Sequence, residues 1–291
     1  MAVSGAGLEG IIAAESSICY IDGDAGVLSY NGFNIHTLAE KATFEEVIFL
    51  LWHLKLPTAV ELAVLKVQLV ASRKIPSEVE TFLKSVPKAP PMHVLRTAVS
   101  MLALFDPEAN DMSPEANARK AVRLMSQTAT ITTTFDRVRN GKAVVDGDPS
   151  LDFAANFLYT LNGAKPDSVM ERVFDIAMIL HADHEFNAST FAGRVTAATL
   201  SDIYSSVTSA IGALRGPLHG GANEEVIKML LDAGTQEKAL DHVKHMLLAK
   251  EKVPGFGHRV YKTLDPRAIH LKKLSEDLGK STGHMDLYNT S

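Results

Sequence analysis

The sequence predicts an all-α fold of two domains, with one short β-hairpin near the N-terminus. Apolar residues recur at steps of three and four along most of the chain, which is the spacing of an amphipathic helix. Prolines and capping residues separate these runs, and a single pair of short β-prone segments precedes them. At 291 residues, the chain is long enough for a large domain with a smaller one.

The hairpin is predicted at residues 16–21 and 27–30, which flank a turn rich in Asp and Gly. Helices follow it, and the Thr-x-x-Glu capping box begins two of them, after Thr43 and Thr58. The predicted helices are 35–42, 44–54, 59–72, 77–85, 92–104, 114–139, 150–161, 167–185, 189–200, 203–213, 223–233, 235–249 and 266–278.

A glycine-rich break at residues 216–223 is the predicted domain boundary. It divides the chain into a large domain of residues 1–220 and a small domain of residues 221–291. We expect a small-molecule site in the cleft between them, because ligand sites often lie between domains.

Composition and charge exclude several classes of function. The chain is 46% hydrophobic and carries a formal net charge of −5, which argues against a nucleic-acid or anionic-membrane partner. The single cysteine, Cys19, is consistent with a reducing compartment. Residues 47–52 form the longest apolar run, which is far short of a membrane span, and residues 1–10 do not match a signal peptide. We therefore expect a cytoplasmic protein.

The most informative stretch is residues 214–225, where His219 lies between Gly216-Pro217 and Gly220-Gly221. Glycines on both sides allow backbone or ligand to approach the imidazole. Asn223 and the two glutamates after it are typical of a helix start, where free N–H groups favour a neutral imidazole and anionic ligands. A glycine-flanked histidine is more often an ordinary loop residue, so its significance depends on the other candidates.

His184 ends the predicted helix 167–185, and Ile176 and Leu180 place it on the inward face. This position fits either a core histidine or a ligand contact. His181 and His184 also have a spacing that suits two metal ligands. A metal needs a third ligand, and the HExxH pattern is missing from the sequence, so we predict no metal.

A second glycine-flanked histidine, His258, is followed by Arg267 in the first turn of a predicted helix. An arginine beside free helix N–H groups can hold a carboxylate by a bidentate hydrogen bond, although a surface ion pair with Asp265 is the simpler reading for Arg267 alone. Three histidines and an arginine together indicate a site for an anionic, oxygen-rich small molecule. Neutral imidazoles there would donate to carbonyl oxygens as negative charge develops.

These motifs together resemble the citrate synthase family. The resemblance includes residues 184–190, 216–223 and 254–267, together with the opening residues 7–23, and extends to about residue 280. It implies a two-domain, all-α homodimer or higher homo-oligomer that condenses acetyl-CoA with oxaloacetate to citrate and free CoA. The CoA thioester is then a substrate, and no cofactor is expected.

The resemblance also implies the role of each site residue. His219 would donate to the thioester oxygen and stabilise the enol or enolate, and His258 would donate to the keto oxygen of oxaloacetate. His184 and Arg267 would bind oxaloacetate. The recess for the CoA adenine would include Lys252, Val253, Pro254, Gly255 and Phe256. Because a thioester α-carbon is a very weak acid, this chemistry needs a closed, water-poor cleft, which closure of the small domain would provide.

The chain departs from the family pattern in two respects. The family's general base is an aspartate well beyond the second glycine-flanked histidine, whereas this chain ends at Ser291. Asp286 lies in a superficially similar segment but comes too early, so it is not assigned as the base. The expectation is that this chain alone lacks the catalytic aspartate and does not turn over. The second departure is Asn31, where the family leads us to expect arginine.

Three alternatives remain open. A 2-methylcitrate synthase uses propionyl-CoA with the same residues, although Leu218 slightly favours citrate synthase because methylcitrate synthases often carry lysine there. The chain also fits a non-catalytic helical fragment of the family that has kept its motifs. The third alternative is a metal hydrolase based on His181 and His184.

Overall fold

The computed structural model describes residues 14–217, 219–257 and 260–291 and confirms the all-α prediction. In this part of the chain a small antiparallel sheet, in the order β1-β2-β3, precedes the helices. The strands are β1 Cys19–Asp22, β2 Val27–Tyr30 and β3 Phe33–Asn34. The helices are α1 Ile35–Lys41, α2 Phe44–His53, α3 Ala59–Ala71, α4 Ser77–Ser85, α5 Pro91–Leu102, α6 Pro114–Arg139, α7 Phe153–Asn162, α8 Ser168–Leu180, α9 Ala188–Ala197, α10 Ile203–Leu214, α11 Ala222–Ala233, α12 Gln236–Leu248, α13 Pro266–Thr282 and α14 Met285–Thr290.

The predicted hairpin is confirmed, with Cys19 paired to Tyr30 and Asp22 paired to Val27. The strand β3 was not predicted, because two residues are too few to show an alternating pattern. Each predicted helix corresponds to an observed one, and both capping boxes form: Thr43 accepts from Glu46 N, and the Glu46 side chain accepts from Thr43 N. The helix α14 was not predicted.

One helix boundary is wrong in a way that affects the site. The helix predicted at 167–185 ends at Leu180, so His184 lies in the loop after α8 and not on its inward face. His181 is the C-cap, and Glu185 has a left-handed backbone with φ 55. The hydroxyl of Tyr30 lies 3.0 Å from Ile179 O, in the last turn of the helix, and 3.1 Å from Asp183 O, in the loop after it, so it can donate to either carbonyl group.

Asn31 now has a structural explanation. Its backbone is left-handed, with φ 44, a conformation that asparagine adopts more readily than most residues. Its side-chain amide donates to the carbonyl oxygen of Leu54, the C-cap residue of α2. Asn31 therefore completes the tight turn after β2 and satisfies an open carbonyl group at the end of a neighbouring helix.

The core has two parts, and the long helix α6 contributes to both. The first packs the sheet and α1 against α2 and α8, with Leu28, Tyr30, Leu50 and Ile179 almost fully buried. The second packs α4 and α5 against α6 and α10. Burial of this apolar surface is the main stabilising contribution to the fold.

The C-terminal helices are not all packed on one another. In the described residues α11 and α12 contact each other and α14, whereas α13 packs on α1 and α8 as well as on α14. The predicted domain boundary at residue 220 stays a prediction. None of the helices in the described ranges is both long and apolar enough to cross a membrane.

Candidate active site

The loop that carries His219 is a tight turn folded onto the end of α10. His219 N donates to Gly216 O at 2.9 Å, and Gly220 N donates to Leu214 O at 2.9 Å. A Cβ on Gly220 would lie 2.3 Å from Leu214 O, so no larger residue fits without moving the turn. Glycine is needed at position 220 because the backbone approaches closely there. The sequence suggested approach of backbone and approach of a ligand as the two reasons for glycine beside His219.

The helix after this loop begins earlier than predicted. Its first residue is Ala222 and its N-cap is Gly221, without a side-chain cap, so Asn223 is a first-turn residue and not the cap. Glu224 and Glu225 lie in the first turn, as predicted. His219 is therefore two residues before the cap of α11, close to a helix N-terminus.

The imidazole of His219 has a defined partner. Its Nε2 atom lies 2.9 Å from the hydroxyl oxygen of Ser189, in the first turn of α9. That hydroxyl oxygen also lies 2.7 Å from Oδ1 of Asn187, the N-cap of α9, which accepts from Thr190 N at 3.0 Å. The capping network of α9 therefore fixes the position of the group that contacts His219.

His184 packs against Tyr261. The two rings meet edge to face, with centroids 5.6 Å apart and an interplanar angle of 72°. Tyr261 is 4% exposed, and burial raises its pKa to about 12, helped by Asp265 and opposed by Arg267. The phenol is therefore neutral at physiological pH, and the imidazole of His184 packs against an uncharged ring.

Arg267 is held in place by Asp265, the N-cap of α13. Its Nε and Nη2 atoms lie 3.0 and 2.6 Å from the two carboxylate oxygens, and its backbone N–H donates to the same side chain. The simpler interpretation of the sequence, an ion pair with Asp265, is thus present, but the Arg267 side chain is only 15% exposed, so the pair does not lie on the open surface. Burial works to lower the pKa of Arg267, but Asp265 outweighs it and the pKa is raised.

The turn of the hairpin lies against the segment that joins Tyr261 to Arg267. Gly23 O accepts from Lys262 N at 2.8 Å. A Cβ on Gly23 would lie 2.2 Å from Val260 O, so this contact also requires glycine. The N-terminal hairpin therefore supports one side of the candidate site.

The predicted CoA segment lies next to α11. A Cβ built on Gly255 would lie 3.1 Å from a side-chain carbon of Val226 in that helix. Val253 is buried, whereas Phe256 is 79% exposed and Lys252 is also exposed. His258 and Leu218 lie outside the described residues, so the role of His258 beside His219 stays a prediction.

Two surface cavities lie away from these residues. One, of about 310 Å³, lies between α5 and α10, and the other, of about 490 Å³, lies on α3. His181 Nδ1 lies 2.6 Å from the carbonyl oxygen of Ala177 in its own helix. Within the described ranges, no three His, Cys, Asp or Glu side chains are grouped as metal ligands.

Sequence reasoning missed Ser189 and Tyr261 as parts of the site. Ser189 was within a quoted motif, and Asn187 before it is a recognisable N-cap, but nothing local indicates that the hydroxyl faces a residue 30 positions away. Tyr261 was also in a quoted motif, and its contact with His184 depends on the tertiary fold.

Comparisons with known proteins agree with the motifs. A family model described as "Citrate synthase, C-terminal domain" matches residues 7–291. Citrate synthase 2 of Bacillus subtilis (strain 168) is 50% identical over 287 residues, which cover 98% of this chain and 77% of that protein. The 2-methylcitrate synthase of Shewanella oneidensis is 40% identical over 291 residues, which cover 99% of this chain and 77% of that protein. The structure of citrate synthase from the archaeon Thermoplasma acidophilum, a ternary complex with carboxymethyl coenzyme A and oxaloacetate, matches with a TM-score of 0.90 and 31% identity, over 98% of this chain and 75% of that one.

Proposed function

The chain belongs to the citrate synthase family, and we propose that it condenses acetyl-CoA with oxaloacetate to form citrate and free CoA. The observation that carries the proposal is the contact between His219 Nε2 and Ser189. It holds an imidazole close to a helix N-terminus, and we propose that its other ring nitrogen faces the ligand. This is the arrangement that stabilisation of an enolate oxygen requires.

The proposed first step is transfer of a proton from the methyl group of the acetyl thioester to the carboxylate of the family's general base, an aspartate to which no residue of this chain is assigned. Activity is therefore measured on the chain joined to a C-terminal segment that supplies this aspartate. As negative charge develops on the thioester oxygen, this oxygen accepts a hydrogen bond from His219. Nδ1 can donate as a neutral imidazole only when Nε2 accepts, which requires the Ser189 hydroxyl to turn its proton towards Nε2. Asp286 lies in the first turn of α14, and we assign it no role as the base in this step.

The proposed second step is attack of the enolate on the keto carbon of oxaloacetate. His184 and Arg267 are the proposed oxaloacetate ligands, and His258 is the proposed donor to the keto oxygen. The partly buried side chain of Arg267 supports this assignment, because the attraction between its guanidinium and a carboxylate is stronger where less water surrounds them. A bound carboxylate would then share Arg267 with Asp265. We further propose that residues 252–256 contact the CoA adenine and that the small domain closes over the large one.

Calorimetry with oxaloacetate tests the proposal and separates it from the alternative of a non-catalytic fragment. We expect saturable binding to the 291-residue chain and a loss of at least about tenfold in affinity for Arg267→Lys, which keeps the charge but loses the fork of donors. Arg119→Lys is the matched control, because Arg119 pairs with Glu108 on the surface. No binding by the unmodified chain at millimolar oxaloacetate would contradict the proposal.

The second candidate is 2-methylcitrate synthase, which the similarity to the Shewanella protein supports. A pocket that accepts or refuses one methylene group discriminates by about 10- to 200-fold. The ratio of kcat/KM for acetyl-CoA to that for propionyl-CoA therefore decides between the two. We propose that acetyl-CoA is preferred, in line with the higher identity to citrate synthase 2 of Bacillus subtilis.

We also propose that the protein is a cytoplasmic homodimer or higher homo-oligomer. The exposed apolar side chains of Val60, Val64 and Val67, which line the cavity of about 490 Å³ on α3, support a covered surface there. Sedimentation velocity tests this: Val64→Lys should shift the mass towards the monomer, while Leu104→Lys, at a single exposed leucine after α5, should not. A monomeric unmodified chain would contradict the assignment.

A further inference from the structure

Glu185 has an unusual backbone for a residue of its type. Its φ of 55 lies in the left-handed region, and it directly follows His184. A side chain with a Cβ is disfavoured there, so neighbouring contacts must hold the residue in this conformation. The other non-glycine residues with positive φ in the described ranges are Asn31, Leu54, Leu200 and Lys250.

Two hydrogen bonds hold Glu185 in place. Its backbone N–H donates to Oδ1 of Asp183 at 2.9 Å. Its own side chain accepts, through Oε1, from the backbone N–H of Ile21 at 3.0 Å. Because β1 is at the edge of the sheet, the N–H groups on its outer side have no strand partner among the described residues, and the Glu185 carboxylate accepts from one of them, that of Ile21.

The hairpin therefore connects two parts of the candidate site. On one side, Ile21 is bonded to Glu185, next to His184. On the other side, Gly23 accepts from Lys262, next to Tyr261. The rings of His184 and Tyr261 pack against each other. The hairpin is therefore bonded to the segments on both sides of this ring contact, through Ile21 and through Gly23.

We propose that Glu185 is a positioning residue for the His184 imidazole, acting through its left-handed backbone and its hydrogen bond to Ile21. This inference rests on the proposed oxaloacetate site. The left-handed turn places the Glu185 side chain on β1 while the preceding side chain packs on Tyr261. The bonded donor is a neutral backbone N–H, so the function requires an acceptor of the correct reach and does not require a negative charge.

Two variants with the same carboxamide group test the role of reach. Glu185→Gln keeps an acceptor oxygen at the same distance from the backbone, and it should bind oxaloacetate within about twofold of the unmodified chain. Glu185→Asn is favourable in the left-handed region but is one methylene shorter, so it should not reach Ile21. We expect it to weaken oxaloacetate binding by about 10- to 100-fold, the effect of displacing a positioned group by about 1 Å.

The readouts distinguish positioning from general stability. The control is Glu45→Ala. It removes another carboxylate that accepts from a backbone N–H distant in sequence, because Phe153 N donates to Glu45 Oε1 at 2.8 Å. This control should lower Tm without changing oxaloacetate affinity. The ring signals of His184 in spectra of ¹⁵N-histidine-labelled protein should shift in Glu185→Asn and stay unchanged in Glu185→Gln, with His53 as an internal reference.

The outcomes separate the inference from the proposed function. If the unmodified chain does not bind oxaloacetate, the proposed function fails, and the His184 ring signals still test whether Glu185 positions the imidazole. If Glu185→Asn keeps both the affinity and the ring signals of the unmodified chain, the inference is wrong. Equal loss of affinity in Glu185→Gln and Glu185→Asn would also overturn it, because the charge would then be the essential property.

Discussion

The hydroxyl oxygen of Ser189 lies 2.9 Å from Nε2 of His219, and this contact decides which ring nitrogen is available to a ligand. A hydroxyl has one proton, and here two acceptors lie within reach, Nε2 and Oδ1 of Asn187. If the proton points to Asn187, Nε2 is the donor and Nδ1 of a neutral ring can only accept. If it points to Nε2, Nδ1 becomes the donor that the proposed enolate requires.

Replacing Ser189 by alanine should therefore lower turnover more than substrate binding. Without the hydroxyl, the imidazole loses the group that fixes its tautomer and orientation, and we expect kcat to fall by about 10- to 100-fold. The measurement is steady-state release of CoA by the chain joined to a C-terminal segment that carries the family's aspartate base, with oxaloacetate affinity followed by calorimetry. Ser126→Ala is the control. It also removes a buried hydroxyl, which donates to Leu69 O at 2.8 Å, but it is not one of the residues of the candidate site. An unchanged kcat in Ser189→Ala would show that the contact has no catalytic role.

His219→Ala should have a larger effect of the same kind. Loss of one donor to a developing oxyanion reduces turnover by on the order of a hundredfold or more. Oxaloacetate affinity should stay nearly intact, because His184 and Arg267 are its proposed ligands. The two quantities are measured by CoA release and by calorimetry on the same preparation of the chain extended by the segment that carries the aspartate base. Collapse of oxaloacetate affinity with turnover preserved would mean that the roles are assigned wrongly.

The parts of the fold that follow from local sequence were predictable. The start of α2 is an example: the Thr43 capping box and the apolar spacing after it define the helix from within a few residues. The end of α8 was not predictable in this way. The hydroxyl of Tyr30, 149 residues from Ile179, bonds to the carbonyl oxygen of Ile179 in the last turn, and no local pattern carries that information.

The candidate site shows the same division. Glycines around His219 indicated close backbone approach, and the carbonyl oxygen of Leu214 provides it. The partner of His219 and the support of His184 come from residues distant in sequence, Ser189 and the hairpin, so they appear only in the folded chain.

Stability should depend on pH through the buried carboxyl of Glu45. Burial raises its pKa, and the hydrogen bond from Phe153 N only partly opposes this. Because the pKa of Glu45 is higher in the folded state, the carboxyl does not lower the free energy of unfolding below the unfolded pKa of about 4.3. It lowers this free energy increasingly as pH rises towards and through the folded pKa. Glu45→Gln, which keeps an acceptor for Phe153, should therefore gain stability relative to the unmodified chain between about pH 4 and pH 7.

Glu61 supplies a control of the opposite sign. The side-chain hydrogen bond with Lys55, together with those from Thr58, lowers the Glu61 pKa to about 2. Its stabilising contribution is present above the unfolded pKa and is lost as pH falls through the folded value. Glu61→Gln should thus lose stability relative to the unmodified chain at pH 7 and less so near pH 3. Urea denaturation across this range measures both variants, and pH-independent differences would contradict the assignment.

Gly23→Ala should separate the hairpin from the segment that carries Tyr261. The new Cβ would lie 2.2 Å from Val260 O, and neither backbone can yield without breaking the bond between Gly23 O and Lys262 N. We expect a loss of about 2 kcal/mol in unfolding free energy, which is typical of overpacking, and weaker oxaloacetate binding.

Gly141→Ala is the matched control for this substitution. Gly141 has φ +67 and no atom within 4 Å of a built Cβ, so alanine there adds backbone strain of about 1 kcal/mol without a clash. It should lower Tm and leave oxaloacetate affinity unchanged. If both variants lose stability and keep full affinity, the hairpin does not support the site.

The thiol of Cys19 reports directly on movement of the hairpin in these variants. Cys19 is in β1, 5% exposed, and burial together with Asp183 raises its pKa to about 12. A buried thiol with so high a pKa reacts very slowly with a thiol-specific disulfide reagent. If Gly23→Ala lifts the hairpin, the native-state labelling rate should rise by about tenfold or more, because a local opening of lower free energy then exposes the thiol. The rate in Gly141→Ala should stay that of the unmodified chain, and equal rates in all three proteins would mean that the contact between Gly23 and Val260 does not hold the hairpin.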